Sequence, residues 1–158
     1  MRTLLKLFTV VGLSLSVATA RAEDGKIALD KLPKAVVEAL KTKFPKAKSD
    51  EAMTKTVDGK TRYVAVLFEE KLKLHATLKE DGTITEWEKA LTPKQFPKAV
   101  LDAVAEKYPK GKVEGGEVIY IVKDGKDTIW FYEVELEIDG KTLEVKFLPD
   151  GKPKPETK

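Results

Sequence analysis

Residues 32–48 read LPKAVVEALKTKFPKAK, and residues 96–112 read FPKAVLDAVAEKYPKGK. Nine of the 17 positions are identical, which indicates an internal duplication. In both stretches apolar residues recur every four positions ahead of a proline, a pattern that predicts a short helix with one buried stripe. The stripe contains Val36, Leu40 and Phe44 in the first copy and Val100, Val104 and Tyr108 in the second.

Strands are predicted after each helix, because five Asp-Gly pairs punctuate alternating apolar stretches and Asp-Gly accepts the positive φ of hairpin turns. The first copy is expected to form strands at 49–57, 61–69, 72–79 and 84–88. The second is expected to form strands at 117–123, 128–138 and 141–148, without a clear fourth strand.

Two hairpins predict the same apolar face of the sheet. A two-residue turn at Asp139-Gly140 and another at Glu70-Lys71 each place three apolar pairs opposite one another. The pairs are Leu136–Leu143, Val134–Val145 and Tyr132–Phe147, and Leu67–Leu74, Ala65–Ala76 and Tyr63–Leu78. The second copy then carries five additional residues between its helix and this hairpin.

The predicted fold is α+β, with two tandem units that each pack one helix on a 3–4-stranded antiparallel meander sheet. A unit of about 60 residues buries little surface, so the units are expected to share an interface or a continuous sheet. The expected organisation is a signal peptide at 1–22, a first repeat at 27–90, a second repeat at 91–152 and a disordered, proline-containing tail at 153–158.

The N-terminus has the pattern of a cleavable secretory signal peptide. Basic Arg2 and Lys6 precede an apolar run too short to span a bilayer, and small residues before Ala20 and Ala22 fit cleavage after either. The expected product is periplasmic or secreted, with no stable membrane insertion after cleavage.

Composition limits the function. The 158-residue chain has a formal net charge of +3, but residues 1–22 hold three basic residues and no acid, so cleavage leaves 26 of each. A neutral chain gives no basis for nucleic-acid binding. The chain has no cysteine, which excludes disulfides and thiol chemistry.

An enzyme is not expected. Beyond the leader the chain has one serine, Ser49, and one histidine, His75, with no motif that joins them to a third catalytic group. Residues 77–88 resemble a calcium loop at Gly82 and Glu88, but Lys79 stands where an acidic ligand belongs, so a hairpin is favoured. No cofactor or metal is expected, and His75 is interpreted as a surface residue.

The face of the sheet away from the helices is the candidate partner surface. It is apolar and basic in the first copy, and apolar and acidic in the second. An ordinary solvated face with scattered apolar residues is the alternative. The candidate residues are Val64, Val66, Phe68, Lys73, His75, Phe131, Glu133 and Glu135.

A Leu-Pro-x-Ala-Val helix ending in Phe/Tyr-Pro-x-Ala/Gly-Lys, Tyr-x-Val-x-Leu strands and a signal peptide resemble the PepSY-like family, also described as beta-lactamase-inhibitor-protein-like (BLIP-like). The likeness covers residues 27–152. It implies exported proteins with tandem helix-and-sheet units, no known chemistry, and a role in protein binding or peptidase inhibition.

The expected function is therefore an exported, non-enzymatic module that binds an envelope protein or peptide through its sheet surface, either simply binding it or inhibiting a peptidase or other enzyme. A structural or small-ligand-binding envelope protein is the alternative. The opposite charges of the two halves also allow a homodimer.

Overall fold

A computed structural model describes residues 25–155 of the chain. The predicted signal peptide and the last three residues of the predicted tail lie outside the described residues. Eight strands form one antiparallel sheet, in which neighbours in sequence are neighbours in the sheet, and two helices lie on one side. The elements are β1 (Gly25–Ile27), α1 (Lys34–Lys43), β2 (Lys48–Val57), β3 (Lys60–Glu69), β4 (Leu72–Leu78), β5 (Ile84–Leu91), α2 (Lys98–Lys107), β6 (Lys112–Lys123), β7 (Lys126–Ile138) and β8 (Lys141–Phe147). Short 3-10 turns at Leu29–Lys31 and Pro93–Gln95 precede the helices.

Both hairpin registers predicted from the sequence are confirmed. All six apolar pairs are paired as expected across β3–β4 and β7–β8. The turns adopt the left-handed backbone that these registers need, with φ of 50° at Asp139 and 58° at Glu70. Of the twelve paired residues, Leu143 remains 40% exposed near the edge of the sheet.

The predicted helix stripes lie in the core. Val36 and Val100 are fully buried, Leu40 is 4% exposed and Val104 is 2% exposed. α1 packs with residues of β2, β3 and β4, whereas α2 packs with residues of β6, β7 and β8. The opposite side of the sheet carries no helix among the described residues.

The prediction of two tandem helix-on-sheet units is wrong. β5 pairs with β4 on one side and with β6 on the other, so one eight-stranded sheet runs through the molecule. At this junction the Trp87 and Tyr120 rings stack with centroids 4.0 Å apart, and Lys43 of α1 forms an ion pair with Asp127 of β7. One continuous sheet is favoured over two separate sheets, because two sheets would leave two more strand edges unpaired.

Further differences concern the strands themselves. β1 was not predicted, β5 extends to Leu91, and β6 begins at Lys112 rather than near 117. The five additional residues lie in the strands, since β6 has 12 residues against 10 in β2, and β7 has 13 against 10 in β3. Four of them lengthen the β6–β7 pairing by two residue pairs relative to β2–β3, and the fifth, Trp130, is left unpaired at a bulge.

The chain after β8 turns back along the edge of the sheet. Pro153 forms a bridge with Phe147, and the Lys154 N–H donates to the Lys146 carbonyl over 2.9 Å. Residues 153–155, which the sequence assigned to a disordered tail, therefore lie against β8. Within residues 25–155 neither helix has the length and apolar character needed to cross a bilayer.

Candidate functional site: the bare face of the sheet

The candidate site is the side of the sheet that carries no helix, here called the bare face. Strand alternation places a residue on this face whenever its neighbours in sequence enter the core. The bare face contains Val64, Val66 and Phe68 of β3, Lys73, His75 and Thr77 of β4, Glu86 and Glu88 of β5, Glu117, Ile119 and Ile121 of β6, Trp130, Phe131, Glu133 and Glu135 of β7, and Glu144 and Lys146 of β8.

All eight predicted partner-surface residues lie on the bare face, but they differ in exposure. Phe68 is 38% exposed, and Lys73 and Glu135 are also exposed. Val64, His75 and Glu133 are half-buried. Val66 and Phe131 are buried, at 5% and 7% exposure. Val66 and Phe131 are therefore too buried to form a contact surface for a partner.

Phe131 is covered by basic side chains. The Nζ atoms of Lys146 and Lys154 lie 5.5 Å and 4.8 Å from the centroid of its ring, within cation–π range. Lys146 also pairs with Glu133 over 2.8 Å. Phe131, one of the candidate partner-surface residues, is therefore shielded by its neighbours.

Trp130 is the aromatic residue that sequence reasoning missed. It is skipped in the β6–β7 register, where Ile119 pairs with Phe131 and Tyr120 pairs with Ile129. The bulge turns Trp130 onto the same face as Phe131, where it remains 40% exposed and edge-on to that ring. Strict alternation would have placed it in the core, so only the bulge reveals its position.

The centre of the bare face is polar. His75 Nδ1 and Glu88 Oε2 lie 3.1 Å apart on paired positions of β4 and β5, and each side chain is 28% exposed. Glu117 of β6 adds a second carboxyl group beside Glu88. Ile119 pairs with Glu88 across β5–β6. It is only 4% exposed, so an apolar side chain lies beside the polar cluster.

The two central carboxyl groups differ in their electrostatics. The hydrogen bond from His75 lowers the pKa of Glu88. Burial raises the pKa of Glu117, and the negative charge of Glu88 raises it further. The hydrogen bond between the two groups lowers the pKa of Glu88 and raises the pKa of Glu117.

From the sequence His75 is expected to be a surface residue, and neither Glu88 nor Glu117 is expected beside it. The β4–β5 turn could have indicated the His75–Glu88 pair. No short turn connects β5 to β6, because α2 intervenes, so the position of Glu117 could not be read from the sequence.

The structure also bears on the two chemical sites that the sequence disfavoured, a Ser49–His75 pair and a calcium loop at residues 77–88. Ser49 pairs with Leu67 on the helix side, whereas His75 lies on the bare face, so they cannot act as nucleophile and base. Residues 77–88 form a hairpin rather than a calcium loop. Asp81 Oδ1 accepts the Thr83 N–H over 2.9 Å within the turn.

Fold and site together define a class: a helix-backed antiparallel sheet with one bare face. No family model matches the chain, and no curated protein sequence matches it. Solved structures do share the fold. A DUF2874 family protein from Bacteroides uniformis is 20% identical, with a TM-score of 0.59 over 77% of this chain and 85% of that one.

Two further structures are similar. A BLIP-like protein from Bacteroides fragilis is 21% identical, with a TM-score of 0.58 over 78% of this chain and 83% of that one. A protein from Bacteroides eggerthii described as periplasmic is 18% identical, with a TM-score of 0.58 over 77% of this chain and 84% of that one. The BLIP-like part of the resemblance and the periplasmic location agree with these descriptions, whereas the PepSY-like part stays a prediction.

Proposed function

We propose that this chain is a periplasmic, non-enzymatic module that binds a protein partner through the bare face. The observation that carries the proposal is the pair of large aromatic side chains, Phe68 and Trp130, which are 38% and 40% exposed on a face without a helix. Aromatic residues of this kind are typical anchors of protein interfaces.

The spacing of the two aromatic residues fits one interface. β3 and β7 are four strands apart in the sheet, or about 19 Å at about 4.8 Å per strand. A standard interface buries about 800 Å² on each partner, enough to include both. The central cluster of His75, Glu88 and Glu117 lies on the strands between them.

Charged groups surround these anchors. Lys73 pairs directly with Phe68 across β3–β4, while Glu135 and Glu144 face each other across β7–β8. The face is thus basic beside one anchor and acidic near the other. A partner with the reverse distribution would gain steering and specificity from it.

More specifically, we propose that the partner is an enzyme. A BLIP-like protein is among the structures with this fold, which supports inhibition as one outcome of binding at the bare face. The absence of a nucleophile–base pair at Ser49 and His75 supports a role in binding rather than catalysis.

The test compares the chain without residues 1–22 with the variants Phe68→Ala and Trp130→Ala. The matched control is Leu143→Ala, since Leu143 is 40% exposed but shares the helix side with its partner Leu136. Each chain is immobilised and exposed to periplasmic extract, and any protein retained by the parent chain is identified and titrated. We expect each aromatic substitution to weaken binding by about 1–3 kcal/mol.

Leu143→Ala should bind like the parent chain, and thermal melting should show all variants folded. Equal binding by the aromatic variants and the parent would reject the bare face as the interface. Retention of only a small molecule would favour a ligand-binding envelope protein, and concentration-dependent self-association lost in Phe68→Ala would identify a second copy as the partner.

A further inference from the structure

The central cluster of the bare face has the composition of a transition-metal site. His75, Glu88 and Glu117 come from three adjacent strands, β4, β5 and β6, and each offers one ligand atom. These atoms all lie within 4.8 Å of one another. Zinc binds both histidine nitrogen and carboxylate oxygen, so the three side chains offer it three ligand atoms of suitable type.

The distances suit a small ion. Zinc bonds to nitrogen and oxygen are about 2.0–2.2 Å long, so two ligands on a tetrahedral ion lie about 3.3 Å apart. His75 Nδ1 and Glu88 Oε2 are already 3.1 Å apart. Glu117 lies on the neighbouring strand β6, and its carboxylate oxygen is within 4.8 Å of the other two ligand atoms.

The surroundings favour a cation at this position. The carboxyl groups of Glu88 and Glu117 lie close together beside the buried Ile119, and a cation between them would remove the repulsion that arises when both are ionised. The nearby Lys146 is paired with Glu133, so its charge is partly compensated. His75 and Glu88 remain open to solvent, which leaves room for water to complete the coordination.

We propose that His75, Glu88 and Glu117 bind a divalent transition-metal ion of the zinc class. Calcium and magnesium are disfavoured, because they prefer six or more oxygen ligands and the cluster supplies a nitrogen and two carboxylates. The proposal does not depend on partner binding at the bare face.

The test uses chelator-treated protein without residues 1–22 and without an affinity tag, titrated with zinc sulfate by calorimetry. The sequence has a single histidine, so its imidazole signals in an NMR spectrum report on His75 alone. We expect saturable binding of one zinc ion, a shift of the His75 signals, and a tetrahedral-type absorption spectrum when cobalt(II) replaces zinc.

His75→Ala, Glu88→Gln and Glu117→Gln should each weaken zinc binding about tenfold or more, the loss expected when even groups that orient a ligand are removed. Glu135→Gln is the matched control, since Glu135 is exposed on the same face and outside the cluster. Absence of zinc binding, tighter binding of calcium, or parent-like affinity in any of the three cluster variants would each overturn the proposal. Thermal melting of every variant without metal verifies that it is folded.

Discussion

At the scale of single residues, Glu86 is a carboxyl group that opposes folding at neutral pH. It is half-buried on β5, where burial raises its pKa above the usual 4.5 and the charge of Glu88 raises it further, partly offset by Lys55. The unfolded chain therefore loses this proton at a lower pH than the folded protein. Stability falls as the pH rises from 4.5 through the folded-state pKa.

Glu86→Gln should consequently raise the melting temperature at pH 7, and the gain over the parent chain should shrink as the pH falls from the folded-state pKa toward about 4.5, below which it should be absent. The measurement is thermal unfolding across this pH range, with chelator present. Glu135→Gln is the control on the exposed part of the same face. A gain that is constant with pH, or matched by Glu135→Gln, would contradict the ionisation of Glu86 as its source.

Residue exposure could be predicted from the sequence only in part. Alternation correctly placed Phe68 and Phe131 on the bare face, because side chains in a regular strand change sides at every step. It could not show that Lys146 and Lys154 cover Phe131, since Lys154 arrives from the chain beyond β8. Trp130 was missed because a bulge interrupts the alternation that the prediction requires.

At the scale of elements, the turn between β4 and β5 passes directly under α1. Gly82 has φ of +83°, and a Cβ atom there would lie 2.6 Å from the Ala35 carbonyl oxygen. Gly59 has a similar φ of +70° in the β2–β3 turn, with nothing within 4 Å. Alanine substitutions at the two positions therefore separate two free-energy costs of unfolding stability: that of a side chain on left-handed backbone, and that of its clash with α1.

Gly59→Ala should therefore cost about 1–2 kcal/mol, the penalty for a left-handed residue with a side chain. Gly82→Ala should cost about 1–3 kcal/mol more, because the helix must move away from the turn. Urea unfolding of the two variants measures both values. Equal losses would show that α1 does not sit over Gly82 as described.

Elements joined by short turns were predicted well, and elements joined through a helix were not. Turn chemistry at Glu70-Lys71 and Asp139-Gly140 determines register locally, so six residue pairs could be worked out from spacing. The pairing of β5 with β6 involves residues some 25 to 35 positions apart, such as Glu86 with Ile121 and Leu91 with Gly116. No local turn encodes that register, and so the sequence left open whether the two units share an interface or a continuous sheet.

At the scale of the whole molecule, the continuous sheet should unfold as one cooperative unit. Leu40 of α1 is 4% exposed, and Leu40→Ala should cost about 2–5 kcal/mol. Because β5 pairs on both sides, the loss should extend to the half covered by α2. The two tryptophans permit the measurement, since Trp87 lies at the β5–β6 junction and Trp130 on β7.

Trp130→Phe leaves Trp87 as the reporter, and Trp87→Phe leaves Trp130. In each background Leu40→Ala should shift the fluorescence transition in urea to lower concentration by the same free energy. The control is Leu29→Ala, since Leu29 is 37% exposed and should shift neither transition by more than about 0.5 kcal/mol. A shift seen by Trp87 but not by Trp130 would show that the halves unfold separately.

The meander order of the sheet also affects how fast the protein folds. Each strand among the described residues pairs with the strand that follows it, and five of the seven pairings close across a short turn. A sheet assembled this way has a low contact order for a β-rich protein, because little chain entropy is lost before each new pairing is made. The slow step in folding should be the pairing of β6 with β5 across α2. Until that step occurs, β5 has an unpaired edge on which a second unfolded chain could add a strand.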